Sequence, residues 1–437
     1  MADITVLKDD FVKEQIVSTT VGGLRVFVLP KPGFRRKYAE MFVHYGSNDN
    51  AWVPQGGGRV EVPPGIAHFL EHKMFEKEWG EAFNEFAKIG ASANAYTSNN
   101  YTSYLFWALD NWKESLGLLF DVSLSPYFTR ESVEKEQNII GQEIRMYNDE
   151  PGSRLVRETM EALYREHPVR LDIAGTERSI HTITKDLLYL CHGAFYRPAN
   201  MALYLAGDLD PSEVFDIAGK LVEEYACQGQ APASVEPGAP VDRSRPKEPS
   251  TVGKDAEVCL PVPVPLVQIA WKDDPSGEDT ADLVRSELGS SLLLDILFGK
   301  SSAFFSEVYQ EGLVDELSSS YEAWPDYAYA SVAAQTTRPE DLSVRVQEEI
   351  ERLRKTGVSE EDFARSKRAS IGRFYTLFDS FDTVGEMHVH LRDIGTDVFS
   401  YGRALMDLKI DDLNRKFDAL QKERSVRTIV RDRPGRA

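Results

Sequence analysis

The residues of this chain best placed to do chemistry together are His68, Glu71 and His72, in the stretch PPGIAHFLEHKMFEKE (63–78). Pro63, Pro64 and Gly65 read as the start of a helix; Ile66, Phe69, Leu70 and Met74 recur at helical spacing and would pack inward. Residues four apart on a helix lie one turn apart on one face, so the two imidazoles stand side by side and Glu71 borders them. Two neutral imidazoles at that separation suit a zinc ion, which binds nitrogen at ~2.0–2.1 Å, and a carboxylate beside them can take a proton from water that the ion activates. The order H-x-x-E-H reverses the commoner H-E-x-x-H.

Such a site needs a third protein ligand and an open position for water. The segment TRESVEKEQNIIGQEIRMYNDE (129–150) reads as a long helix capped by Thr129, with acidic residues in its first turn. Val133, Ile140, Ile144 and Tyr147 form its apolar stripe, and Glu136 and Glu143, two turns apart, share another face. One of these two glutamates is the natural supplier of the third ligand.

Several elements must bring these residues together. GGLRVFVLPK (22–31) and YAEMFVHYGS (38–47) read as strands, ASANAYTSNNYTSYLFWAL (91–109) as a hairpin-like strand pair, and 110–125 as a helix. Further helices are expected at 79–89, 153–167, 184–195 and 211–226, with a buried strand and a turn in 200–211. Residues 228–254, rich in Pro, Ser, Gly and Ala without periodicity, read as a linker. Beyond it the parts recur in the same order. There is a strand at 259–271, a helix at 286–299 without histidine, strands within 318–336, and helices at 341–355 and 359–372. Two repeats of an α+β fold, each a mostly antiparallel sheet packed with helices, and one metal site follow, with domains at 1–227 and 255–437. His388 and His390, two apart on a helix-like stretch, read as ordinary side chains.

The 437 residues suit two or more domains, and 42% hydrophobic with 27% charged residues describes a globular protein. A net charge of -20 disfavours nucleic acid and anionic membranes as partners. No run of eighteen apolar residues occurs, and the opening MADITVLKDDFVKEQ lacks the basic and apolar regions of a secretion signal, so a cytoplasmic location is expected. Cys191, Cys227 and Cys259 are scattered and read as reduced packing cysteines.

The chain resembles the pitrilysin/insulinase family of zinc peptidases (inverzincins), in the small two-repeat bacterial subclass related to mitochondrial processing peptidase. The resemblance lies in His68–His72, GASANAYTSNNYTSYLF (90–106), EKEQNIIGQEI (134–144), HPVRLDIAGT (167–176) and NMALYLAGDLDP (200–211). It implies that His68, His72 and Glu143 hold one Zn2+, that Glu71 is the general base, and that Glu136 orients a ligand histidine. Strand 92–98 would be the sheet edge on which a peptide pairs as an added strand, with Asn94, Ala95 and Tyr96 at the substrate. The activity implied is that of a zinc metalloendopeptidase cutting unfolded peptides in a closed chamber, of which this chain forms half a clamshell. The other reading is a non-catalytic scaffold member, against which the complete motif argues. Active members usually carry, in the second repeat, an arginine and a tyrosine flanking a Gly-Leu step, which hold the substrate's carbonyls. In SEVYQEGLVDE (306–316), Gly312 and Leu313 are present, with Tyr309 in place of the arginine and Asp315 in place of the tyrosine. That pattern resembles the catalytic subunit of a heterodimer whose homologous inactive sibling supplies the clamp. The alternatives are a homodimer, or Arg338 or Tyr321 as the substitute.

Overall fold

A computed structural model describes residues 3–54, 56–227, 241–275 and 278–432 and divides into two units. The first comprises Met1–Ile144, Leu171–Arg245 and Ser380–Val389; the second comprises Arg145–Arg170, Pro246–Asp379 and His390–Ala437.

The first unit is built on a seven-stranded sheet. Its order is Thr5–Asp9, Glu14–Val21, Leu24–Pro30, Met201–Gly207, Lys37–Val43, Thr102–Ala108 and Ser92–Thr97. Every neighbouring pair is antiparallel except Leu24–Pro30 with Met201–Gly207. Strand side chains alternate between faces. Ala39, Met41, Val43, Tyr104 and Phe106 therefore join the core beneath the helices, with Ile66, Phe69 and Leu70. Tyr38, Glu40 and Phe42 take the other face.

The second unit repeats that design. Its sheet runs Ala256–Cys259, Ser425–Arg431, Leu266–Asp273, Tyr327–Gln335 and Leu317–Trp324, antiparallel except for the first pair. With Thr5–Asp9 and Glu14–Val21 set aside, the first strand of each unit lies parallel to its last. The second, fourth and third strands then follow in space, so the duplication legible in sequence is a duplication of topology. The first sheet adds the hairpin of Thr5–Asp9 and Glu14–Val21.

The expected boundaries at 1–227 and 255–437 do not fall on unbroken units, because each sheet has a second apolar face that needs cover. In the first unit Phe381 stacks on Trp107 at 6.0 Å, and His388 meets Phe27 edge-on at 4.9 Å. There Gly385 lies so close to Tyr204 that a Cβ would come within 2.5 Å of the ring. In the second unit Met160, Leu163 and Tyr164, at the end of the helix Pro151–Leu163, pack on Ala270, Tyr327 and Val426. His390, two residues from His388, packs on Trp324 at 4.2 Å.

Of the expected linker, 228–240 lies outside the described residues. The remainder is irregular apart from a bridge between Asp242 and Val53. The helix Thr280–Phe298 belongs to a stretch apolar enough to cross a membrane, but most of that stretch is buried, and Leu283, Leu292, Leu293 and Leu297 place it in the core. Cys191 is buried as expected, whereas Cys259 is exposed.

Candidate metal centre

The helix bearing the motif runs Ile66–Lys73 and is set by a close backbone crossing. Gly65 precedes it at φ 93°, and a Cβ there would lie 2.5 Å from the Ala174 carbonyl oxygen. Gly175 answers from the other side, 2.4 Å from the Pro64 oxygen by the same test. Only glycine accepts both the left-handed backbone and the approach. From that start Ile66, Phe69 and Leu70 are wholly buried, which turns His68 and His72 toward the helix Arg130–Asp149.

On that second helix Val133, Ile140 and Ile144 face the core, leaving Glu136 and Glu143 beside the histidines. Glu143 spans both rings: its Oε1 lies 3.7 Å from His68 Nε2 and its Oε2 lies 3.6 Å from His72 Nε2. The ligand atoms of His68, His72 and Glu143 all fall within 4.8 Å of one another. Glu136 instead meets the far nitrogen of His72, Nδ1, at 3.1 Å, and its other oxygen is 3.9 Å from Lys73 Nζ. The two glutamates that spacing left equivalent are thus separated by which nitrogen of His72 they approach.

The charges fit a cation. Burial, together with neighbouring His72, lowers the His68 imidazole to about 3, so it is neutral and able to ligate. Burial also pulls His72 down, but the hydrogen bond to Glu136 and the carboxylates of Glu71, Glu136 and Glu143 outweigh it and raise the ring above its ordinary value. Burial pushes Glu136 up, and His72 and Lys73 reverse this and hold it below the usual range. Two imidazoles and three carboxylates share a small, half-buried space and present the potential that a divalent ion neutralises. The donor set fits one Zn2+ per chain, with His68, His72 and Glu143 as holders.

Glu71 is buried, and burial raises its carboxyl to about 7 against the lowering influence of His72 and Thr97. Its Oε2 accepts from Thr97 Oγ1 at 3.1 Å. Thr97 ends the edge strand Ser92–Thr97, which pairs with Thr102–Ala108 on one side only. Ala93 and Ala95 pack against the core on the helix side, while Asn94 and Tyr96 take the opposite face. Sequence reading missed Thr97, because no local spacing links it to a residue 26 positions earlier. In the second unit Tyr309 and Asp315 are exposed and Tyr321 donates to Asp273 at 2.7 Å. Arg338 reaches the Glu311 carbonyl at 3.3 Å, one residue before Gly312.

Residues 52–177, which hold the whole metal centre, match the family described as insulinase (peptidase family M16), and residues 182–370 match the peptidase M16 inactive domain. An uncharacterized zinc protease of Bacillus subtilis, YmfH, is 39% identical over 395 residues, covering 90% of each chain. A second B. subtilis zinc protease, YmxG, is 27% identical over 75% of this chain and 78% of its own. Among solved structures, an M16-like peptidase from Alicyclobacillus acidocaldarius superposes with a TM-score of 0.87 at 33% identity, covering 98% of both chains. A Helicobacter pylori protease, at 22% identity and a TM-score of 0.81 over 96% of this chain and 99% of its own, shares the fold. With its two repeats and its His/His/Glu centre, this chain belongs to the M16 insulinase family of pitrilysin-type zinc metalloendopeptidases.

Proposed function

We propose that the chain hydrolyses unfolded peptides laid against the edge strand Ser92–Thr97, with Glu71 as general base. The observation that carries this reading is the hydrogen bond joining that strand to Glu71 through Thr97, which puts an unpaired backbone edge next to the base and the metal ligands. An extended peptide added to the edge is held by main-chain hydrogen bonds, which tolerate many sequences. Bound zinc supplies Lewis acidity, making water nucleophilic near neutral pH and polarising a carbonyl. Glu71 Oε2 is occupied by Thr97, so Oε1 takes the proton from the attacking water and returns it to the leaving amine. Glu136 holds His72 by Nδ1, fixing the ring so that Nε2 is turned toward Glu143 and would be free to ligate. Asn94, Ala95 and Tyr96 contribute as members of the edge strand. Unstructured peptides incubated with wild type and with Glu71→Gln test the assignment: the variant keeps zinc and loses hydrolysis.

The working form we propose is a dimer with a homologous chain that closes a chamber and supplies cationic contacts to the substrate's carbonyls. What supports it is the pair of exposed residues, Tyr309 and Asp315, where such contacts are expected. The acidic charge of the chain fits peptides, rather than nucleic acid or anionic membrane, as the ligand. Native purification followed by mass measurement checks this. A second homologous subunit lacking H-x-x-E-H supports it, and an active monomer overturns it.

A further inference from the structure

Behind the edge strand, on the sheet face away from the metal helix, sits a second carboxylate, that of Glu40. It is 1% exposed, in the middle of the strand Lys37–Val43. Three hydroxyls donate to it: Tyr38 to Oε2 at 2.6 Å, Tyr96 to Oε1 at 2.9 Å, and Ser103 to Oε1 over a short bond. Those donors come from three adjacent strands, Lys37–Val43, Ser92–Thr97 and Thr102–Ala108. Tyr96 and Ser103 are register partners, and Glu40 lies opposite Leu105, two residues beyond Ser103. The carboxylate therefore reaches across the intervening strand to grip the edge strand.

The chain alternates at that point. Thr97 turns toward the metal side and donates to Glu71, while its neighbour Tyr96 turns away and donates to Glu40. The end of the edge strand is held by a carboxylate on each face. Tyr101, after the hairpin turn, adds a third anchor on the Glu40 side by donating to Glu386 at 2.5 Å. A buried carboxylate with every oxygen engaged is costly to place within a sheet and fixes the groups that donate to it. An edge strand otherwise has one row of backbone hydrogen bonds to set its twist and is free to fray on the other side.

We infer that Glu40 is a positioning residue for the reaction: acting through the Tyr96 hydroxyl, it holds the edge strand in the geometry that pairs with substrate. Glu40 touches neither the metal ligands nor Glu71, and this role rests on the edge strand being the substrate's docking edge. A substrate bound as an added strand should then lose affinity when the grip is released, with the chemical step left nearly intact.

The test is a double-mutant cycle in the full-length protein at pH 8, where the carboxylate accepts all three hydroxyls, using a quenched fluorescent peptide as substrate. Glu40→Leu, which leaves no acceptor, and Tyr96→Phe each raise KM about tenfold, the lower end of what a hydrogen bond to an ionised carboxylate is worth. kcat stays within about twofold and the zinc content stays that of wild type. The double variant is no worse than either single one, because both remove the same link. Tyr38→Phe removes a donor from Glu40's own strand and leaves KM unchanged. If Glu40→Leu does not fold, the contrast between Tyr96→Phe and Tyr38→Phe decides alone. An unchanged KM in Tyr96→Phe, or equal KM effects of Tyr96→Phe and Tyr38→Phe, overturns the inference, as does additivity in the double variant. A zinc-loaded wild type that cuts no peptide would instead overturn the edge-strand peptidase reading on which it rests.

Discussion

Thr97 Oγ1 donates to Glu71 Oε2 at 3.1 Å, which ties the last residue of the edge strand to the carboxylate beside the two metal-binding histidines. Thr97→Val keeps the shape and removes the donor. A hydrogen bond to an ionised group is worth roughly 1.5–3 kcal/mol, so kcat should fall about 10- to 100-fold, with zinc content unchanged and Thr97→Ser largely restoring the rate. The bond lowers the Glu71 carboxyl, so its loss raises that group further. The base works deprotonated, and the acid limb of kcat/KM must therefore move to higher pH. A limb that stays in place while the rate falls contradicts this role.

Glu136 and Glu143 should separate cleanly under mutation. Glu143→Ala removes one of the three holders and leaves the chain folded with almost no zinc, measured by metal analysis after gel filtration. Glu136→Gln keeps a hydrogen-bond acceptor for His72 but not the charge. Zinc affinity should fall by roughly 10- to 100-fold in chelator competition while the stoichiometry at saturation remains one per chain.

Metal removal has a stability signature too. A ligand at about 1,000 times its Kd stabilises the native state by about 4 kcal/mol, so stripping the chain with a chelator lowers its unfolding temperature, and zinc restores it. The Glu143→Ala protein should show the stripped value with or without added zinc.

Gly65→Ala tests the setting of the helix. At φ 93° and with the Ala174 carbonyl in the way, alanine costs roughly 1–3 kcal/mol of backbone strain before any clash is relieved. Lower thermal stability together with weaker zinc binding is expected. Gly33→Ala, in open space at φ 84°, should carry the strain alone and leave zinc binding untouched.

Glu40 gives a pH dependence with a defined sign. Burial raises its carboxyl to about 7, against the lowering hydrogen bonds of Ser103, Tyr38 and Tyr96, and the Glu386 charge adds to the rise. A carboxyl whose folded value lies above its unfolded one binds more protons when folded. Its contribution to stability therefore falls as pH rises from about 4.5 to about 7. Glu40→Gln lacks that titration. The stability of the variant relative to wild type should grow across this window by on the order of 3 kcal/mol, read from denaturant unfolding at pH 5 and pH 8. A difference independent of pH contradicts it.

What could be read from sequence was what short spacing encodes. His68 and His72 one helical turn apart, and two glutamates on one face of a later helix, are enough to define a metal centre. Spacing could not say which glutamate ligates, because that depends on how the helix Arg130–Asp149 rotates against the helix Ile66–Lys73. Thr97 and Glu40 were illegible for a related reason: their partners lie across strands, and Glu40 within YAEMFV reads as one polar residue in an apolar strand. The hairpin of Thr5–Asp9 and Glu14–Val21 escaped because its turn has no glycine. The Asp9 carboxylate accepts from the backbone N–H groups of Phe11 and Val12, and Lys13 takes φ 60°. The strand Ser425–Arg431 interleaves arginines with its apolar residues and finds its place only through two neighbouring strands.

The most direct measurement is hydrolysis of an unstructured peptide by the chain purified natively from its host with any bound partner, with zinc quantified in the same sample and Glu71→Gln as control. Wild type should contain one zinc per chain and cut the peptide, and the variant should contain the same zinc and cut nothing. Hydrolysis retained in Glu71→Gln, or a wild type that binds no zinc, would contradict a metallopeptidase centred on His68, His72, Glu143 and Glu71.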